Sequence, residues 1–328
     1  YIFDANYRID GSTQFGADKR YGSFPGVSGK WIISDEPLFK KALGDKVVTL
    51  LAFRPSWGIS GRQPGKNYLQ YSLLSTSGYG YMDMSAVYPT RIRLDGLRWE
   101  KVTSMNWGFD LELWDGKVTV NADWYHKRTN DLLFSNLSIP STSGFSTLSY
   151  KNVGILDNDG WELTFNLNKI VNVGKFSMDF TCNFASNKNK IVELDESVLN
   201  SYNNVTNFGN GTYGTLLKEG NSFGSIYGFR YKGVYAYGMD NLDKALAENK
   251  TCAVAKDANG NILYNNDGTV KPMYYYYKST KYQFKGGDAM YEDQNHDGSI
   301  DQYDVVYLGN CNPKLSGGWG MTFRYDKF

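Results

Sequence analysis

Only 8 prolines, 3 cysteines and 2 histidines occur among the 328 residues. Cys182, Cys252 and Cys311 lie far apart, with no CxxC or Cys/His metal spacing, so neither a disulfide framework nor a thiolate metal site is indicated. His126 and His296 are the whole supply of imidazole. No GxSxG, HExxH, Walker or dinucleotide glycine pattern accompanies them, and the chain reads as no enzyme, with no catalytic residue. Charge of either sign is also lacking: 35 Lys plus Arg meet 34 Asp plus Glu. That balance leaves no basic field for nucleic acid and no acidic tail. Long apolar runs are missing and mean hydropathy is -0.48, which excludes a helical membrane span. Aromatics and glycine are abundant instead, with 18 Phe, 8 Trp, 26 Tyr and 35 Gly. Disordered chains are poor in aromatics, so these residues indicate folded structure.

The dominant pattern has a period of two. Val118, Val120, Ala122 and Trp124 alternate with Thr119, Asn121, Asp123 and Tyr125. Met105, Trp107, Phe109, Leu111 and Leu113 do the same just upstream, and Asp115-Gly116 between the two runs is a hairpin signal. Similar alternation predicts strands near 1–10, 24–33, 47–60, 103–113, 117–128, 160–168, 175–186 and 315–326, with no helix beyond a possible turn near Asp240 to Glu248. The chain opens with Tyr1 inside such a run and stops at Phe328 just after another, which reads as a fragment.

A soluble sandwich buries its apolar face in a core, whereas an outer-membrane barrel turns that face to lipid and lines its lumen with polar side chains. Three features favour the barrel. Aromatics recur near segment ends, as an interfacial girdle requires. Charges such as Asp110, Glu112, Asp123, Glu162 and Asp179 sit mid-strand on the polar face. Short connections, at Asp115-Gly116, Asn168 to Gly174 and Ser34 to Asp45, alternate with long ones at about 61–101, 131–159 and 188–314. The fold expected is therefore all-β, a transmembrane antiparallel β-barrel segment of about eight strands with long extracellular loops. Residues 1–186 form strands and loops, 187–314 a large extracellular loop region, and 315–328 a further strand.

The large loop carries two motifs. Tyr274 to Tyr277 lies beyond the turn signals Asn259-Gly260 and Asp267-Gly268; such a cluster either packs the loop together or offers a ligand platform. Residues 293–304 fit a twelve-residue calcium loop, with Asp293, Asn295 and Asp297 at positions 1, 3 and 5. Gly298 follows at the sharp turn, then the Ser299 carbonyl, Asp301 at position 9 and Asp304 at position 12. Oxygens at alternate positions turn onto one cation, so Ca²⁺ in a structural role is one reading and a metal-free Asx-rich turn the other.

Phe15 to Trp31, with Phe15-Gly-Ala-Asp-Lys-Arg-Tyr-Gly-Ser-Phe-Pro at its start, resembles a barrel segment of the SusC/RagA-type TonB-dependent transporters of Bacteroidota. So do Arg54 to Gly61, Leu97-Arg-Trp-Glu-Lys101, Ala122 to Leu133, Asn152-Val-Gly154, Gly160-Trp-Glu-Leu163, Ser225 to Val234 and Gly309 to Lys314. The resemblance implies part of the C-terminal half of a plugged barrel of about 22 strands, with plug and TonB box before Tyr1. It also implies location in the outer membrane, against membrane lipid or lipopolysaccharide, and import of an oligosaccharide or oligopeptide. A SusD-like surface lipoprotein and the TonB complex would be partners. Other classes stay open on the residues alone: a passive porin or surface adhesin, or a calcium-dependent glycan-binding β protein.

Overall fold

The computed structural model describes residues 1–326 except 44–46, 83, 204–207, 210, 239 and 278–279; Asp45, the expected end of one short connection, is outside them. No described helix is long and apolar enough to cross a membrane, which says nothing of β-barrels. The chain divides into two units. Unit 1 comprises Tyr1–Ser201, Lys218–Phe223 and Pro313–Phe328; unit 2 comprises Tyr202–Leu217 and Gly224–Asn312.

Unit 1 is built on one antiparallel meander of eight strands in chain order. These are β1 (Ile2–Gly11), β2 (Tyr21–Ile32), β3 (Val48–Arg62), β4 (Glu100–Leu113), β5 (Val118–Asn130), β6 (Ile155–Val173), β7 (Phe176–Glu193) and β8 (Ser316–Tyr325). Each alternating segment of the sequence is one of these strands. Their lengths, from 10 to 19 residues, meet the roughly 9–11 residues that a tilted strand needs to span a bilayer. β1 and β8 are the outer edges and are not paired with each other.

Register converts alternation into two continuous faces, because directly opposed residues share a face. Leu51, Leu111, Val120, Phe165, Cys182 and Trp319 form one rank across β3 to β8. The rank beside it, on the opposite face, holds Asp110, Asn121, Thr164 and Asn183. The apolar face builds no core: Trp107 is 47% exposed and Trp319 73%. Such exposure is costly in water and favourable against lipid.

The strands run longer than alternation indicates. β6 begins at Ile155 and β7 ends at Glu193, since Asp157, Asn158 and Asp159 pair with Lys190, Asn189 and Lys188 in a stretch that is polar on both faces. The turn expected over 168–174 is instead only Gly174-Lys175. Lys169 at φ 52 and a register shift between Leu167 and Val171 break the period while the strand continues to Val173. Two short helices, Pro37–Leu43 and Glu196–Tyr202, carried no sequence signal; a third, Leu242–Ala247, falls where the turn near Asp240 was expected.

Long connections follow β3, β5 and β7, all at one end of the meander, and the first two contain hairpins of their own, Leu73–Tyr81 with Met84–Arg91 and Leu133–Ser138 with Thr147–Asn152. A small core closes over the start of β2, where Phe15 and Phe24 pack on Trp99 with ring centroids 5.0 and 5.4 Å apart. Gly22 and Gly61 flank the Phe24 ring so closely that a β-carbon on either would lie 2.6 or 2.3 Å from its Cζ.

Unit 2 is a packed loop domain rather than a coil. Its sheets pair Tyr213–Thr215, Ser225–Phe229 and Val305–Asn310; Tyr231–Val234 with Ala289–Tyr291; and Thr280–Gln283, Tyr274–Tyr277 and Ser299–Ile300. The core is aromatic: Tyr227, Phe229, Tyr275, Phe284 and Tyr291 are buried around Ile300. Within the tyrosine cluster, Tyr275 belongs to this core and donates to the Phe208 carbonyl at 2.9 Å. Tyr276 is 38% exposed, and the Lys281 ammonium lies 3.8 Å from the Tyr274 ring centroid and 5.6 Å from that of Tyr276.

Candidate functional site

Three constellations emerge. The first lies on the polar face, where Arg54 of β3, Gly108 of β4 and Asp123 of β5 are opposed in register. Gly108 leaves room for side chains two strands apart to meet above it; a β-carbon there would stand 2.6 Å from Asp123 Oδ1 and 2.8 Å from Arg54 Cζ. The guanidinium donates to Asp110 at 2.8 Å and reaches Asp123 at 3.3 Å. Asn121 and Asn106 donate to these carboxylates at 2.9 and 3.0 Å, and the Lys30 ammonium lies 3.4 Å from Asp110. The mid-strand acids expected on the polar wall thus include a cross-strand ion network.

The second constellation marks where the apolar face changes character. Trp107, Trp124 and Trp161 are directly opposed across β4, β5 and β6, the first two rings 5.4 Å apart. The next rank along the same face has His126 Nδ1 2.7 Å from Asp159 Oδ1, and the one after has Arg128 bidentate on Asp157, at 2.7 Å for both bonds. Tryptophan followed by polar and charged pairs is the order of an interfacial girdle and the headgroup level beyond it. Aligning Trp124-x-His126-x-Arg128 against Asp157-x-Asp159-x-Trp161 across the hairpin would reveal these pairs from sequence.

Several residues behind the sequence resemblance meet beside this level. Leu97 and Trp99 are in the small core, while Glu100, 6% exposed, accepts from the Leu133 amide at 2.8 Å. Arg98 pairs with Asp131 at 2.5 Å. The Asn152 side chain accepts from the Arg98 amide at 2.8 Å and donates to its carbonyl at 2.7 Å, so Asn152 acts as a one-residue strand that holds two loops together.

The third constellation is the calcium-type loop in unit 2. Its first half folds as position and chemistry demand: Asp293 accepts from the amides of Asp297 and Gly298 at 3.3 and 2.8 Å, and Asn295 from that of Asp297 at 3.1 Å. Asp297 accepts from the Ser299 amide at 2.8 Å, and Gly298 turns the chain at φ 83. The second half diverges. Asp301 and Asp304 form a capping box on the 3-10 helix Gln302–Asp304. Asp304 is fully buried and accepts from the amides of Gln294 at 2.7 Å and Asp301 at 2.8 Å, which ties the two ends of the loop. Burial pushes the Asp304 carboxyl up to about 6, against the pull of those amides and with added repulsion from Asp293 and Asp301; burial raises Asp293 also. The carboxylates have free lone pairs for a cation and a charge that one would relieve. Among the described residues, however, no three His, Cys, Asp or Glu side chains converge closely enough to hold a metal. All three cysteines are free.

No family model matches the chain. TonB-dependent receptor P39 of Formosa agariphila is 32% identical over 338 aligned positions, covering 100% of this chain and 30% of the relative. TonB-dependent receptor SusC of Bacteroides thetaiotaomicron is 32% identical over 200 positions, 59% of this chain and 19% of SusC. Among solved structures, the RagAB peptide importer in its closed-closed state superimposes with TM-score 0.64 at 20% identity, covering 98% of this chain and 30% of that one. The chain therefore spans less than a third of the length of the relatives it matches.

Proposed function

We propose, from a chain that is a SusC/RagA-type stretch of TonB-dependent receptor, that the whole protein imports an oligosaccharide or oligopeptide across the outer membrane by TonB-driven transport. The observation that carries this reading is the meander itself, one face apolar and open, the other polar and ion-paired, in a chain related over its full length to TonB-dependent receptors. In this reading the apolar face meets lipid, the polar wall lines the lumen, and the loops after β3, β5 and β7 lie outside the cell. Unit 2, with its own core, is a rigid extracellular part that contacts cargo or a SusD-like lipoprotein lid. TonB acts on a plug, and the residues described here supply wall and loops. The test is growth of a deletion strain on single glycans and peptides, with uptake repeated in a tonB-null background. Loss of one growth phenotype together with TonB-dependent uptake is expected; uptake unchanged without TonB would make the protein a passive pore.

Calcium belongs to the same reading. Asp293, Asn295, Asp297, Asp301 and Asp304, with the Ser299 carbonyl, would hold Ca²⁺ and stiffen the loop, the ion offsetting the cost that burial puts on the charged forms of Asp293 and Asp304. Calorimetry on the full-length protein should show Ca²⁺ binding that Asp293→Ala plus Asp297→Ala abolishes. No such heat would leave the loop a capped turn.

A further inference from the structure

Beyond the tryptophan rank, toward the end of the meander that carries the long loops, the apolar face gives way to two charged ranks. Across β5, β6 and β7 the first is His126, Asp159 and Lys188, and the second Arg128, Asp157 and Lys190. Directly opposed residues share a face, so these side chains stand on the side that carries Trp124 and Trp161. The carboxylates form the middle column, and each is already engaged from β5. His126 lies 2.7 Å from Asp159, and Arg128 holds both oxygens of Asp157 at 2.7 Å. Lys188 and Lys190 are exposed, two residues apart on one face of β7. Neither forms an ion pair or a side-chain hydrogen bond among the described residues, although Lys190 is near enough for its charge to act on Asp157 as Arg128 does. Arg128, Lys188 and Lys190 thus meet Asp157 and Asp159, and the rank beyond adds Lys101 and Glu193, one charge of each sign. The surface next to the two lysines is apolar and has a gap. The tryptophan rank ends at Ser186, opposed to Trp161, and the next rank toward mid-strand pairs Leu163 with Phe184. Ser186 is therefore a small side chain between Lys188 and Phe184 on one face of β7, with Trp161 and Phe184 each 41% exposed.

We propose that Lys188 and Lys190, with Arg128 and His126 alongside, bind phosphate on the headgroup of a bilayer lipid, one acyl chain of which lies over Ser186 and Phe184 beside Trp161. Charge complementarity selects the headgroup. Exposed ammonium groups without a carboxylate partner gain most from phosphate oxygens, whose hydrogen bonds to them are charge-assisted. The order along β7 selects a lipid over a free anion. Two lysines are followed by a small residue and then by an exposed Phe, on a face continuous with the apolar side of the meander, and a free anion would use only the lysines. Lysine stems can also lie along apolar surface while their ammonium groups stay at the polar level. The proposal deepens the import reading by naming a lipid partner for the wall, and it rests on that reading only where the apolar face is assigned to the bilayer.

The test is native mass spectrometry of the full-length protein in detergent, titrated separately with four probes. These are diphosphoryl lipid A, its dephosphorylated form, its deacylated sugar bisphosphate and inorganic phosphate. Diphosphoryl lipid A should bind at least about tenfold more tightly than each of the other three. Lys188→Gln with Lys190→Gln should weaken its binding about tenfold or more, while Lys188→Arg with Lys190→Arg retains it. Equal binding of the dephosphorylated lipid would remove the role of the phosphate, and equal binding of the bisphosphate or of phosphate would make the site one for a soluble anion. Either result, or lipid binding unchanged in the glutamine double variant, would overturn the proposal. Uptake assays separate the two readings. TonB-dependent uptake without a preference for the phosphorylated lipid removes the lipid site alone, and a lysine-dependent preference without TonB-dependent uptake removes import alone.

Discussion

Single residues decide how the two faces are used, and Gly108 is the clearest case. A strand normally gains from a side chain, since glycine weakens it, yet here the missing β-carbon lets Arg54 and Asp123 meet across β4. Gly108→Ala should therefore lower stability, by about 1–3 kcal/mol as for other overpacked sites, despite the better strand propensity of alanine. Thermal unfolding of the full-length protein in detergent measures it, and a stabilised variant would mean that the network tolerates displacement. Asp304 makes a second prediction. Its folded-state carboxyl titrates at about 6, above the ordinary value near 4, so the folded loop binds the proton more tightly than the unfolded chain does. Its stabilising contribution is then fully present below about pH 4 and is lost as pH rises to about 6. In metal-free buffer, protection factors of the Gln294 and Asp301 amides, which Asp304 caps, should fall across that window. Asp304→Asn should flatten the dependence, and added Ca²⁺ should restore protection more at pH 7 than at pH 5. Spacing alone exposed the candidate oxygens of this loop; that Asp304 is fully buried follows from the packing of unit 2, which no local pattern encodes.

At the scale of elements, the eight strands were legible because each keeps one apolar and one polar face, as lipid on one side and a wet lumen on the other would require. Where that constraint ends, legibility ends: residues 157–159 and 188–190 pair in register but are polar on both faces and lose the signal. The bulge at Lys169 did the same by shifting the period within β6. Alternation also makes a sharp prediction, because neighbouring residues on one strand point into different solvents. Val120 lies mid-rank between Leu111 and Phe165, and Asn121 between Asp110 and Thr164. An arginine on the lipid side near the midplane costs about 2–4 kcal/mol, whereas lumenal substitutions are tolerated. Val120→Arg should thus destabilise the full-length protein in liposomes by that amount, and Asn121→Arg by much less. Equal costs at the two positions would contradict the assignment of faces.

For the whole molecule, the decisive feature is the pair of outer strands. β1 and β8 each present one ladder of backbone N–H and C=O groups that has no partner in the meander. In a bilayer each such group left unpaired costs several kcal/mol, so only a closed ring of strands can span it. Eight strands are enough to close some barrels, yet the hydrogen-bonded order here runs from β1 to β8 without joining them. The matched relatives are more than three times as long as the region they share with this chain. Closure is then expected from further strands of the same protein rather than from β1 meeting β8. The 328 residues expressed alone with an outer-membrane targeting signal should fail to give the heat-modifiable gel migration of a closed barrel, and their β1 and β8 edges should stay open to protease. The full-length protein should show the shift and protect both strands. A compact, protease-resistant and heat-modifiable species from these residues alone would mean that the open order is incomplete and that the meander closes on itself.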